Sequence, residues 1–132
     1  MNMKYVFSII VVFILVSCGS PGKLSQKIIG KWSMVKVFEY DKDVTARHNP
    51  NNNRWIEFNK DGTFISDGDP FGENTGKWRV NDESSVLVID SDTEDDDSEW
   101  SVSLNKEEMT WTGIGQPRKE NTTIIHKRIQ EE

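Results

Sequence analysis

An all-β fold, an antiparallel up-and-down barrel of about eight strands, is what the sequence predicts, and three observations predict it. Short β-prone runs recur along the chain with turn residues between them, the pattern of a sandwich or a barrel. The clearest runs alternate apolar with polar residues, giving one dry and one wet face, as strands around a single core require. The connections alternate between long and tight. In an up-and-down barrel successive loops fall at opposite ends, so the long ones gather at a mouth and the tight ones at a closed end. A Greek-key sandwich has no reason to alternate in this way, and closure also removes exposed edges.

The first strand is the longest run, Lys31 to Tyr40, entered through Gly30-Lys31-Trp32. A glycine lets backbones approach closely and a tryptophan is the largest apolar plug, so Gly30 and Trp32 are expected to form the barrel floor. Before it, Ser25 to Gly30 reads as one helical turn capped by Ser25 and ended by Gly30. Asp41 to Asn53, with His48-Asn49-Pro50-Asn51-Asn52-Asn53, reads as loop. Trp55–Phe58 and Thr63–Ser66 flank Asn59-Lys60-Asp61-Gly62, the strongest hairpin signal in the chain, which sets Phe58 opposite Phe64. A loop over Asp67–Asn74 follows.

Gly76–Val80 and Val86–Ile89 form the next pair, joined by Asn81–Ser85. Gly76, Trp78 and Val80 are expected inward, because Lys77 and Arg79 are costly to bury unpaired. Trp100–Leu104 and Met109–Gly113 pair across Asn105–Glu108, so Leu104 faces Met109, Val102 faces Trp111 and Trp100 faces Gly113. Gly115–Asn121 is a last loop, Thr122–Ile129 the final strand, and Gln130–Glu132 are expected to fray.

The amino terminus reads as an address. Lys4 precedes an apolar run, Tyr5 to Val16, too short and wrongly flanked to span a membrane comfortably. Leu15-Val16-Ser17-Cys18-Gly19 then resembles the lipobox of bacterial lipoproteins. The resemblance implies a signal peptide over 1–17, cleavage before Cys18 and a diacylglyceryl group on its thiol. The other reading of Cys18 is a buried thiol; as the only cysteine it has no intramolecular partner. Gly19 to Lys23, rich in Gly, Ser and Pro, completes a flexible tether over 18–23 leading into a domain over 24–132. Gly19 stands where many lipoproteins carry an inner-membrane retention Asp, and no acidic run follows. Both comparisons point to an outer-membrane lipoprotein facing the periplasm.

Composition narrows the partners. The formal charge is −6, which argues against nucleic acid, whose phosphates need a basic footprint. A hydrophobic content of 35% supports one modest core, and five Trp and six Phe supply much of it.

Gly30-x-Trp32, Phe58-x-x-Asp61-Gly62-Thr63-Phe64 and Gly76-x-Trp78, in that order behind a lipobox, resemble the small bacterial lipocalin-like domain lipoproteins over about residues 24 to 129. The resemblance implies a lipocalin-like barrel. The chain is shorter than a full lipocalin and lacks its C-terminal helix, and small barrels can be filled by their own side chains.

Little in the sequence carries catalysis, and an enzyme is not expected. His48 and His126 are the only histidines, one in a loop and one in a strand, and both read as surface or rim groups. No nucleophile motif accompanies the serines. Asp90–Glu99 holds seven acids in ten residues; clustered carboxylates suit Ca²⁺, but the turn glycine and spacing of an EF-hand loop are missing, so it reads as a solvated loop with no metal. No cofactor is expected.

Two functions stay open. In the first, Phe58, Phe64, Trp78, Trp100, Val102 and Trp111 share an inner face and line a cavity for a small hydrophobic ligand, with Trp100 nearest the mouth. In the second, the same rings are plain core, and the long loops, with Phe71 among them, meet a protein partner in the envelope. In both, the lipid on Cys18 holds the protein to the membrane.

Overall fold

The computed structural model describes residues 22–130. The expected signal peptide, Cys18 and the first part of the expected tether lie outside the described residues, as do Glu131 and Glu132. Nine strands form one antiparallel sheet in the order β2-β1-β3-β4-β5-β6-β7-β8-β9, and β1 also pairs with β9, closing a barrel of eight strands. These are β1 (Gly30–Glu39), β3 (Trp55–Phe58), β4 (Thr63–Asp67), β5 (Asn74–Asn81), β6 (Val86–Ser91), β7 (Ser98–Asn105), β8 (Glu108–Gly113) and β9 (Thr122–Arg128). The two-residue β2 (Lys42–Asp43) pairs only with the end of β1.

The expected pairings are present. Phe58 faces Phe64 across the Asp61-Gly62 turn, where Gly62 takes φ +87°. Leu104 faces Met109, Val102 faces Trp111 and Trp100 faces Gly113. β1 departs from simple alternation. Its buried residues are Trp32, Met34 and Val37, because the register against β9 shifts between Met34 and Lys36. This bulge keeps Lys36 outside and returns Val37 to the core.

The tight turns 59–62, 82–85 and 106–107 gather at one end with Trp32. Trp32 is 0% exposed, its Nε1–H donates to Ile28 O at 2.8 Å, and the Arg128 guanidinium lies 4.1 Å from its ring centroid. Arg128 also donates through Nη1 to Ile29 O at 3.0 Å, so the end of β9 is tied to the entry of β1. Gly30 has φ +125°, a conformation that needs glycine, and a Cβ there would meet Arg128 Nη1 at 2.8 Å and displace the guanidinium from its bond to Ile29 O.

Helix α1 (Leu24–Lys27) lies over this end. Its N-cap is Lys23, with no side-chain cap, which corrects the role expected of Ser25. Ser25 instead donates from its backbone N–H and its Oγ to the Asp82 carboxylate, at 2.9 and 2.8 Å, pinning α1 to the 82–85 turn. Two further helical turns lie in segments read as loop. α2 (Thr45–His48) begins where Asp43 Oδ1 accepts from Thr45 N–H and Oγ–H at 2.9 and 2.6 Å. α3 (Pro117–Glu120) starts on a proline whose missing N–H costs nothing in a first turn.

Candidate functional site

The long connections collect at the opposite end and are bound to one another. Asn51 and Asn53 donate to Asp69 Oδ2, each at 2.9 Å, and Asp69 N–H returns a bond to Asn53 Oδ1. Asn74 Nδ2 donates to Asp96 at 2.9 Å, and Tyr40 N–H donates to Asn121 O at 2.9 Å. Glu39 reaches Arg47, His48 and Arg118 at 3.3, 3.0 and 3.7 Å, linking the first and last long loops. Burial works to raise the Glu39 pKa, but the His48 hydrogen bond and the two arginine charges outweigh it and hold it below the usual carboxylate value.

Inside this mouth is a recess with two levels. The inner chamber, about 190 Å³, is walled by Met34, Ile56, Phe64, Ile89, Trp100, Trp111 and Ile124, with Arg54, Trp55, Ser66, Asn74, Asp96, Ser98 and His126 supplying its other wall groups. An outer chamber of about 430 Å³ shares Met34, Arg54, Trp100 and Ile124 with it and is edged by His48, Phe71 and Glu73. Phe71 is 66% exposed, and the Arg54 guanidinium carbon sits 4.8 Å from its ring centroid.

Of the six aromatic and aliphatic residues expected to share a cavity, Phe64, Trp100 and Trp111 line the inner chamber, and Trp100 alone of them reaches both levels. Phe58, Trp78 and Val102 line neither. Phe58 is buried below, with the Trp78 ring edge-on to it at 5.3 Å and Trp111 at 6.2 Å. Trp78 Nε1–H is spent on Asn59 O at the tight-turn end. The lower half of the barrel is thus filled, and the hollow is confined to the upper half.

His126 is not a rim group. It is 1% exposed, faces inward opposite Met109, and its ring centroid lies 4.4 Å from that of Trp111. Burial, with the nearby Arg54 charge, pushes its pKa down to about 3, so it is neutral at physiological pH. His126 Nδ1 and Trp111 Nε1 are both buried without a hydrogen-bond partner among the described residues.

Arg54 is held by its backbone. Buried Asn49 donates from Nδ2 to Met34 O at 2.8 Å, and its Oδ1 accepts from the N–H groups of Asn53 and Arg54 at 3.0 and 3.1 Å. Arg54 Nη1 donates to His48 O at 3.0 Å, and no carboxylate lies within ion-pair distance of the guanidinium among the described residues. Burial pulls the Arg54 pKa down, partly offset by the Asp96 charge.

The acids of 90–99 do not converge: among the described residues no group of three metal-ligating side chains forms. Asp92 accepts from Thr75, Asp96 from Asn74 and Asp97 from Ser91 N–H. They staple the connection between β6 and β7 to the sheet.

No curated protein matches the chain. Among solved structures, a DUF4847 family protein from Bacteroides vulgatus is similar in fold, with a TM-score of 0.57 at 13% identity, covering 80% of this chain and 96% of that one. A family model described as a C-terminal lipocalin-like domain matches residues 22–125, the whole barrel up to the middle of β9. With that match, a closed eight-stranded antiparallel barrel and a hollow at one mouth, the chain belongs to the C-terminal lipocalin-like domain family.

Proposed function

We propose that this protein is a lipid-anchored envelope barrel that binds a small apolar molecule in its mouth and performs no catalysis. The observation that carries the reading is the inner chamber, whose walls include three tryptophans, a phenylalanine, three isoleucines and a methionine. Concave, preformed recesses that set apolar walls beside a few polar groups are where small ligands bind. At about 190 Å³ the chamber is smaller than the ~300–1,000 Å³ of pockets for drug-sized ligands, so it suits a small molecule or one end of a longer one.

The test separates the wall from the core. Trp100 lines both levels of the recess, whereas Leu104 packs against the core beside the 106–107 turn. Titrated with the neutral fluorescent probe N-phenyl-1-naphthylamine, Trp100→Ala is expected to bind about tenfold more weakly, a loss of about 1.4 kcal/mol. Leu104→Ala is expected to keep its affinity while losing roughly 1 kcal/mol of stability, as a half-exposed leucine gives up part of its burial. Probe binding that is absent in the wild type, or equal in both variants, removes the pocket reading.

Anchoring rests on Leu15-Val16-Ser17-Cys18 behind the apolar run. Cys18→Ala is expected to abolish incorporation of labelled fatty acid and to release the protein from the membrane fraction or leave it unprocessed. Label retained in that variant argues against the anchor. Under this reading the protein faces the periplasm from the outer membrane, and its charge of −6 leaves nucleic acid an unsuitable partner.

A second reading has its own observation. Phe71 and Tyr40 are the exposed large hydrophobics among the described residues, 66% and 56% exposed, and both lie in long connections at the mouth. They are the groups a protein partner would cover, so a partner and a ligand would meet at the same end.

A further inference from the structure

We infer that the closed end of the barrel docks on the phosphate head groups of an anionic lipid bilayer through Lys27, Lys106 and Arg128, so that the mouth opens away from the membrane. The inference rests on the anchoring reading above and adds how the barrel stands on the surface to which Cys18 would hold it.

The chain itself brings a bilayer to this end. Helix α1 lies over the floor, and Lys23, its N-cap, is the fifth residue after Cys18. Five residues span at most roughly 18 Å even when fully extended. The mouth lies at the far end of β1, ten residues and about 30 Å along the strand from Gly30. A lipid on Cys18 therefore leaves the floor within reach of the head groups.

The floor carries the free cations. Lys27, Lys106 and Arg128, with Leu104, line an open hollow of about 260 Å³. Arg128 also lines a second, of about 320 Å³, with Lys31 and Lys60. None of these five cations has a carboxylate within ion-pair distance among the described residues. The Arg128 guanidinium is fixed by its bonds to Ile29 O and Lys27 O and by the Trp32 ring, so its charge is held in place without being neutralised. The lysines are spread over α1, the start of β1 and the tips of two turns, Lys60 in 59–62 and Lys106 in 106–107. That spread suits a plane of head groups better than one ion, and lysine is a point charge on a flexible stem, able to follow a fluid array of phosphates.

The acids of this end oppose the docking. Glu57 lines the second hollow, Glu107 follows Lys106, and Glu131 and Glu132 follow Gln130 in sequence. Glu107 already accepts from Gln130, Asp61 from Thr63 and Asp82 from Ser25. The contrast with the mouth remains. There, five acids lie between Asp92 and Asp97, Asp69 and Glu73 lie in another loop, and Lys36, Arg47 and Arg118 are spent on Asp43 and Glu39. An anionic bilayer repels that end, which turns the floor towards the lipid. A ligand then enters the recess from the aqueous side.

Lysine acetylation at pH 7.5, read residue by residue by mass spectrometry, tests the footing on full-length protein purified from cells fed labelled fatty acid. The protein is compared in neutral detergent, in phosphatidylcholine vesicles and in vesicles with about 30% phosphatidylglycerol. Lys27 and Lys106 are expected to react at least fivefold more slowly on the anionic vesicles than in detergent, and at least threefold more slowly than on phosphatidylcholine. Lys42, exposed beside the mouth, is expected to change less than twofold. Charge reversal, Lys27→Glu with Lys106→Glu, is expected to return Lys60 on anionic vesicles to within twofold of its rate in detergent. Equal protection on the two kinds of vesicle means that the tether alone holds the floor near the surface, and overturns the docking. Protection of Lys42 in place of Lys27 and Lys106 overturns the orientation. Equal protection by inorganic phosphate in detergent overturns the bilayer as occupant and leaves a free-anion site. Protein that carries no fatty-acid label overturns the anchor, and the docking with it.

Discussion

Trp32→Ala is expected to cost about 3–5 kcal/mol of unfolding free energy, the range for truncating a buried aromatic side chain. The side chain is 0% exposed, and three further features depend on it. Ile28 O would lose the indole N–H it accepts at 2.8 Å, and the Arg128 guanidinium would lose the ring beneath it at 4.1 Å. Ile28, itself fully buried, would lose a neighbour on the floor. A domain of this size has about 5–15 kcal/mol in total, so the loss is a large share of it. In urea the midpoint is expected to fall on the order of 2 M. A midpoint equal to the wild type would mean that the floor is not built on Trp32.

The barrel was legible in the sequence because its strands obey local rules. A two-residue period with serine and threonine on one face and tryptophan, valine and leucine on the other fixes β7 against β8 without reference to the rest of the chain. The Asp61-Gly62 turn does the same for β3 and β4. What local rules miss depends on two strands at once. His126 stands in Thr122–Arg128, where Ile124 and Ile125 leave the phase ambiguous. Pairing with β8 resolves it: Met109 and Trp111 point inward, so their partners His126 and Ile124 do too.

The short helices are a different case, because their signals are present. Asp43 two residues before Thr45 is an Asx-turn pattern, and Pro117 is a first-turn residue; both segments are polar, and polarity alone reads as loop. The bulge in β1 is recorded by Lys36, a charge where simple alternation from Trp32 and Met34 would bury it. Arg54 carries no signal at all. It lies at the end of a fifteen-residue connection between β1 and β3, and its place in the mouth comes from Asn49, which bonds to Met34 within β1 and to Asn53 and Arg54 just before β3. A recess that draws its cation from a loop and its walls from several strands is assembled by the fold, not by spacing.

His126 makes the stability of the barrel depend on pH in a window that lies mostly above the carboxylates. In the unfolded chain a histidine titrates near pH 6.5; in the barrel its pKa is about 3, held down by burial and then by the charge of Arg54. Between these values the unfolded state binds a proton that the native state does not, so stability rises with pH across the window and is lost on acidification. From pH 7.5 to 4.5 the loss from this one group is roughly 2–3 kcal/mol. Asp43, Asp61, Asp69, Asp82 and Glu39 have lowered pKa values, so their contributions are full above their unfolded values of about 4 to 4.5, begin to fade at the acid end of the window, and do so alike in both proteins compared below. Urea unfolding at intervals from pH 7.5 to 4.5 is expected to show the decline in the wild type. In His126→Leu, which keeps an apolar side chain opposite Met109 and removes the proton site, the decline should be shallower by about one bound proton. Parallel curves for the two proteins would mean that His126 takes its proton in the folded barrel, and that the inner chamber is open to water at the ring.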